Sequence, residues 1–422
     1  MKILLCGASG FIGSHLYTAL EAAGHVVVRA ARRPPPSASN WIAVDYSRDH
    51  RPEDWLPRLH GIDVAINAIG ILRESAEASF EDLHVRAPIA LFEAARRAGV
   101  RKILQVSALG ADDAARSAYH LSKKKADDFL ATLPVAWTIV QPSLVYGPGG
   151  ASAKLFNTLA ALPLVPLPGC GTQQVQPIHI DDLCAAIVRC VQPGTCDGER
   201  IALVGPQALR LREWLFQLRQ QMKLCSTRAL YIPLWMMRLG ARISEFFPRL
   251  LLDKENLAML ERGNIASSEA VTRLLNKPPR PTTAFIDDAR TAANAARLAW
   301  GLPLLRISLA LVWIATGVIS LGIFPVDQSY ALLSAVGIKG FLAPWALYGA
   351  ALIDIAFGFG IFVLNGRKRR WLWRAQIVLI LAYMAAITAY LPHFWLHPFG
   401  PILKNIPLLA LIVVLHEFEE SD

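Results

Sequence analysis

The sequence predicts an α/β fold, a doubly wound parallel sheet with a small, mostly helical subdomain, followed by an all-α four-helix transmembrane domain. Two observations carry this. Short apolar runs alternate with helical stretches from the first residue, the pattern of a parallel sheet covered on both faces. The apolar excess, 54% of 422 residues, is also concentrated: residues 304–422 hold 8 Lys and Arg and 6 Asp and Glu, against 35 and 27 in residues 1–303. The first three quarters therefore read as globular and the last quarter as membrane. The expected division is 1–220 for the sheet domain, 221–300 for a helical lid and linker, and 301–422 for the membrane domain.

Taken in order, residues 2–6 form an apolar strand, followed by Gly7-Ala8-Ser9-Gly10-Phe11-Ile12-Gly13, a helix to residue 23 and a strand over 26–31. Glycines at the first turn of a βαβ unit let backbone N–H groups approach a pyrophosphate at a helix N-terminus, so a dinucleotide site is expected. The end of the second strand bears on which one. It reads Arg29-Ala30-Ala31-Arg32-Arg33, with no acid to hold a ribose 2′-hydroxyl. Positive charge there suits a 2′-phosphate, which makes NADP(H) the expected cofactor and NAD(H) the alternative, with Arg32 and then Arg33 as the phosphate ligands. The other reading of these arginines is a solvated basic turn.

Further strands are expected at 41–44, 63–68, 103–107 and 137–140, with helices over 88–98 and 123–133. Ser107 ends one of these strands, and twelve residues on comes Tyr119-His120-Leu121-Ser122-Lys123. Tyr and Lys four apart share one face of a helix, where the ammonium is expected to lower the phenol's pKa and to reach a ribose.

Other segments complete a pattern: Asp45-Tyr46, Asn67-Ala68-Ile69-Gly70, Gln141-Pro142-Ser143-Leu144-Val145-Tyr146-Gly147 and Pro177-Ile178-His179-Ile180-Asp181-Asp182. With the glycine turn and the Tyr–Lys pair, they make residues 1–220 resemble the extended or atypical short-chain dehydrogenase/reductase superfamily, in particular its branch with the Rossmann accessory subunit of respiratory complex I. The resemblance implies a Rossmann sheet, catalytic roles for Ser107, Tyr119 and Lys123, and cofactor contacts from Gly7, Ser9, Gly10, Phe11, Ile12, Gly13, Arg32, Arg33, Asp45, Tyr46, Ala68, Ile69, Gly70, Lys123, Pro142 and Ser143. The sequence departs from the pattern at three places. Ala108 and Leu109 follow Ser107 where relatives carry a further hydroxyl, Gln141 replaces an Arg, and His84 stands where many relatives have Asn.

Residues 234–252 show Arg238, Arg242, Glu245 and Arg249 on one helical face and Trp235, Leu239, Ile243, Phe246 and Leu250 opposite. Such a helix suits either a lipid interface or a substrate-covering subdomain. Lys277-Pro278-Pro279-Arg280-Pro281 breaks regular structure and is read as a linker. Four apolar stretches follow, 304–323, 341–364, 372–391 and 402–418, with Arg367-Lys368-Arg369-Arg370 between the second and third. Positive-inside bias puts that loop, the sheet domain and both termini in the cytoplasm, as a multi-pass protein of the inner membrane.

Trp395-Leu396-His397-Pro398-Phe399-Gly400-Pro401, Lys404-Asn405-Ile406-Pro407 and Asp354 make residues 303–418 resemble the DoxX-like membrane family. An acid at membrane depth serves either a relay or quinone-side function, or a structural pairing with Lys404 or a Tyr hydroxyl. The expected partners are a nicotinamide dinucleotide, the lipid bilayer, a lipophilic substrate or quinone, and, for a module without turnover, a membrane complex. No metal site is expected. The net charge of +10 is scattered rather than clustered with aromatics, so nucleic acid is not expected either.

Overall fold

The computed structural model describes residues 1–34, 40–75, 77–244, 259–260 and 262–419. They divide into two units, Met1–Ala296 and Arg297–Asp422.

In the first unit the strands of three or more residues are Lys2–Cys6 (β1), Val26–Ala31 (β2), Trp41–Ala43 (β3), Val64–Asn67 (β4), Lys102–Val106 (β5), Ala136–Pro142 (β6), Val165–Pro168 (β7), Glu199–Leu203 (β8) and Ala229–Ile232 (β9). Seven of them form one parallel sheet in the order β8-β6-β5-β4-β1-β2-β3, and β7 pairs with β9 in a separate parallel ribbon. The main sheet is buried on both faces. One face packs against Phe11–Ala22 (α1) and Ile180–Cys190, through Leu16, Leu20, Leu183 and Ile187. The other packs against Ala87–Arg97 (α2) and Ala118–Ala131 (α3), through Leu91, Phe92, Ala126 and Leu130. Chain order reverses between β1 and β4, and the crevice at their carboxyl ends is where such sheets hold ligands.

Two differences from the sequence reading matter. α3 begins five residues before the expected start, because the Ser117 hydroxyl caps it by accepting from the His120 N–H at 3.2 Å. This brings Tyr119 into the same helix as Lys123. The segment 277–281, read as a linker, is held on the first unit: the Arg280 N–H donates to Asp182 at 2.6 Å and its guanidinium meets Asp181 at 3.1 Å. We label Ile180–Cys190 α4 and Leu234–Ser244 α5. Of the helix expected over 234–252, residues 245–252 lie outside the described residues, and Glu245, Phe246, Arg249 and Leu250 with them.

The second unit takes in most of Ala289–Val318 (α6), then Val326–Ala335 (α7), Leu342–Val363 (α8), Gly366–Tyr390 (α9) and Asn405–Glu417 (α10). Three stretches, Ala289–Ile323, Leu342–Val363 and Gly366–Tyr390, are long and apolar enough to cross a membrane. The fourth expected span differs. Turns hold the chain around Pro398 and Pro401, and α10 has only 13 residues, about 20 Å at 1.5 Å per residue against about 30 Å of hydrocarbon. α6 and α8 cross closely on glycines: a Cβ on Gly317 would stand 2.6 Å from the Ala351 carbonyl oxygen, and one on Gly358 2.4 Å from Ile314.

The glycine turn makes a tight constraint in the first unit. A Cβ on Gly13 would stand 2.0 Å from the Gly7 carbonyl oxygen, so α1 can start beside β1 only with glycine there. Gly24, at φ +81°, has open space around it. Gly24→Ala should therefore cost only the left-handed backbone strain, about 1 kcal/mol, whereas Gly13→Ala should cost about 3 kcal/mol or more through displaced backbone. Urea titrations of the two variants check the contrast; equal losses would contradict it.

Candidate active site

The crevice is built from the ends of β1, β4 and β5. Gly7 leaves β1 with φ +84°, and a Cβ on it would lie 2.9 Å from the Ala68 carbonyl. Gly10 caps α1 without a side chain, so the first-turn amides of Phe11, Ile12 and Gly13 have no side-chain acceptor at the cap. That is a built anion cradle, and it fits a dinucleotide pyrophosphate. The Phe11 ring reaches the 147–150 turn, where a Cβ on Gly150 would stand 2.8 Å from it. Ser9 is exposed beside the turn.

Beyond β2, Arg32 and Arg33 are both exposed. Arg29 is committed elsewhere, its guanidinium stacked on Tyr17 at 4.1 Å and Trp41 at 4.5 Å. The Asp45 carboxylate accepts from the Ser47 N–H at 3.0 Å and hydroxyl at 2.6 Å, which shapes the next turn. The Tyr46 side chain turns inward: its hydroxyl donates to Asn67 at 3.0 Å, and Asn67 donates to Gln105 at 2.7 Å. Only the Tyr46 backbone is left to face an adenine. At the end of β6, the Pro142 carbonyl accepts from the Leu109 N–H at 2.9 Å, and the Ser143 hydroxyl donates to the Gln176 carbonyl at 2.5 Å.

Lys123 is the central group. Its buried ammonium donates to the Ile69 carbonyl at 3.0 Å and the Val106 carbonyl at 3.2 Å, joining the ends of β4 and β5, and Gly70 lies against it. A lysine has three donors, so one remains for a ribose hydroxyl. Burial pulls Lys123 down to about 8, against an upward pull from Asp127. The expected depression of Tyr119 is not found. Burial first, and then the charge of Asp127, push the phenol up to about 12, because the ammonium is turned to backbone carbonyls rather than to the phenol. The Tyr119 ring stands against His84 at 5.6 Å and Phe80 at 6.1 Å.

His84 is held in one tautomer. Its Nε2 accepts from the Ile71 N–H at 3.0 Å, so Nδ1 carries the proton and donates to the Ser122 hydroxyl at 2.9 Å, which donates to the Tyr119 carbonyl at 2.8 Å. Burial and the Lys123 charge hold the imidazole down at about 2, so it is neutral.

The residue that sequence reasoning missed is Asp127. It is fully buried and accepts the hydroxyl proton of Ser107, while its other oxygen has no hydrogen-bond partner among the described residues. Its signal was available, since Tyr119, Lys123 and Asp127 recur every four residues on one helical face. Gln141 donates to the Ala111 carbonyl at 3.3 Å. Arg262 clamps the same loop through the Gly110 carbonyl at 2.8 Å and Asp112 at 2.6 Å, a contact across 150 residues that no local pattern announces.

Residues 3–200 match the NAD dependent epimerase/dehydratase family, and residues 310–413 match the DoxX-like family. A ceramide reductase of Caulobacter vibrioides is 32% identical over 190 residues, 44% of this chain and 59% of that protein. Mitochondrial NADH dehydrogenase (ubiquinone) 1 alpha subcomplex subunit 9 of Arabidopsis thaliana is 30% identical over 226 residues, 49% of this chain and 54% of that protein. The chain thus spans little more than half the length of these curated relatives. Among solved structures, UDP-glucuronic acid 4-epimerase from Bacillus cereus with NAD superposes with a TM-score of 0.53 at 18% identity, over 71% of this chain and 100% of that one. dTDP-glucose 4,6-dehydratase from Bacillus anthracis with NAD also gives 0.53 at 18%, over 72% and 99%. These two share the fold.

Asp127 generates a pH prediction. Burial raises it from 3.8 to about 6, against the pull of the Ser107 hydrogen bond and the Lys123 charge. Between those values the folded chain binds a proton that the unfolded chain has lost, so stability falls as pH rises through 4 to 6, by about 3 kcal/mol in all. Asp127→Asn should remove that slope. Urea titrations of both proteins from pH 4 to 7 should show the variant gaining on the parent as pH rises; parallel curves would contradict a buried titrating carboxylate.

Proposed function

We propose that this chain, which joins an NAD dependent epimerase/dehydratase domain to a DoxX-like membrane domain, is a membrane-anchored NADP(H)-dependent oxidoreductase, interconverting hydroxyl and ketone on a lipophilic substrate. The observation that carries the reading is Lys123, buried at the junction of β4 and β5 with one donor uncommitted and Tyr119 one helical turn away. A bound nicotinamide would supply or accept the hydride. Lys123 would hold its ribose, and Tyr119 would give a proton to the substrate oxygen or take one from it. Ser107, while its hydroxyl donates to Asp127, offers the substrate a lone pair rather than a donor. That polarity suits a bound alcohol. The ceramide reductase relative favours a lipid as the carrier of that oxygen.

The inner membrane is the proposed location, with the first unit in the cytoplasm. Two spans, Ala289–Ile323 and Leu342–Val363, separate that unit from Arg367–Arg370, so both belong on one side, and the positive charge suits the cytoplasmic one. Near the chain end, Glu419 accepts from Arg306 at 2.9 Å and from Arg369 at 3.1 Å. This supports returning the C-terminus to the same face, although α10 is short.

A second reading, a nucleotide-binding module of a membrane complex without turnover, is favoured by the Ser107–Asp127 bond and by the NADH dehydrogenase relative. Oxidation of NADPH by the purified full chain, against ketone-bearing ceramide-like lipids, quinones and sugar nucleotides, separates the two. Under the enzyme reading Tyr119→Phe leaves NADPH affinity nearly unchanged and lowers turnover by about 100-fold or more, while Lys123→Ala weakens binding as well. Unaltered turnover in Tyr119→Phe would overturn the assigned role. For the cofactor, NADPH should bind more tightly than NADH, and Arg32→Ala should narrow the gap by about 1 to 3 kcal/mol. Equal affinities in the parent protein, measured by fluorescence titration, would overturn the preference.

A further inference from the structure

One apolar edge of the first unit takes no part in the nucleotide chemistry. It is made by the β7–β9 ribbon and by α5. Leu164, Leu230, Tyr231, Trp235, Met236 and Leu239 are each between 47% and 67% exposed. They lie close together. The Val165 N–H donates to the Arg228 carbonyl at 3.1 Å, which sets Leu164 beside the start of β9, and the Gly169 N–H donates to the Ile232 carbonyl at 2.8 Å at its end. Pro233 then turns the chain into α5, where a Cβ on Gly169 would be 3.5 Å from Leu234. Trp235, Met236 and Leu239 follow at the spacing of one helical face. Leu230 and Tyr231, adjacent in β9, point to opposite faces of the ribbon, so the exposed apolar side chains wrap its β9 edge; six of them grouped this way are more than the scattered exposure of a soluble surface and mark a place of contact.

The charge around the patch says what it contacts. Residues 214–239 contain no Asp or Glu, while Lys223 and Arg228, both exposed, fall in the same stretch. A protein groove would be matched by mixed charge. An apolar surface with Trp and Tyr, in a stretch of chain whose charges are cationic, matches the headgroup layer of an anionic bilayer, where aromatic rings are half wet and basic side chains meet lipid phosphates. The same chain carries three helices long and apolar enough to cross a membrane, so lipid is present wherever this patch is.

We propose that the β7–β9 ribbon and α5 form a lipid-binding face that rests in the headgroup layer of an anionic bilayer. The face tethers the first unit to the membrane independently of the spanning helices. It does not depend on which substrate the site takes.

The test reads position rather than turnover, so its failure leaves the nucleotide reading untouched. A nitroxide is attached in the full chain at Trp235→Cys, at Leu239→Cys and, as an exposed reference, at Gln207→Cys, with Cys170 and Cys225 replaced by Ser. The proteins are placed in nanodiscs of phosphatidylcholine and phosphatidylglycerol. Collisions with oxygen, which concentrates in lipid, are compared with collisions with a water-soluble nickel chelate. The expected result is an oxygen-to-nickel ratio several-fold higher at 235 and 239 than at 207, falling when phosphatidylglycerol is left out. Nickel-dominated collisions at 235 and 239 would show a face in water, and low collision rates with both reagents would show a face covered by protein, a second copy included. Either result overturns the proposal.

Discussion

A buried ammonium organises the first unit. Lys123 ties the carbonyl ends of β4 and β5, and taking its charge out of water lowers it from 10.5 to about 8, a penalty of about 3 kcal/mol. The helix that carries it cannot shift by a turn without stranding that charge. Tyr119, Ser122 and Asp127 therefore have fixed positions relative to the crevice, and His84 follows through Ser122. Removing the amine would release both strand ends and the face of α3 that they hold.

The glycine-turn end of the crevice and its Tyr119–Lys123 end are built differently. At the glycine-turn end the constraint is backbone: glycine at 7 and 13 and an uncapped helix start, with exposed arginines beyond β2. Nothing there depends on a titrating group. At the Tyr119–Lys123 end the groups are charged or protonatable and mutually dependent, with Lys123 and Asp127 on one helical face and the Ser107 hydroxyl committed to the carboxylate. Cofactor binding can thus persist in a chain whose proton chemistry has changed, the condition under which relatives of one fold divide between catalysis and structural nucleotide binding.

The second unit follows another solvent's rules. Its helices meet at Gly317 and Gly358, where close backbone approach replaces the hydrophobic driving force that lipid removes. Asp354 is buried with one oxygen lacking a hydrogen-bond partner among the described residues, while Lys404, a suggested partner, is exposed. The polar network lies at one end instead, where Glu419 binds Arg306, Arg369 and Trp373. Charge at the end of the helices stays near water, which is the low-energy place for it.

The sequence by itself determined the order of strands and helices, the glycine turn, the Tyr–Lys face and the apolar quarter, because each depends on periodicity or on backbone freedom within about ten residues. Its spacing also held Asp127, unnoticed. Only the tertiary structure decided that Lys123 points to carbonyls and leaves the phenol of Tyr119 high, that the Ser107 hydroxyl donates a hydrogen bond to Asp127, that Tyr46 is core, and that Arg280 and Arg262 pin distant loops. Those outcomes depend on which groups lose water together and which donors face which acceptors across 17 to 152 residues of chain. Local pattern carries no record of such partners, since burial and hydrogen-bond direction are set by the packing of whole elements.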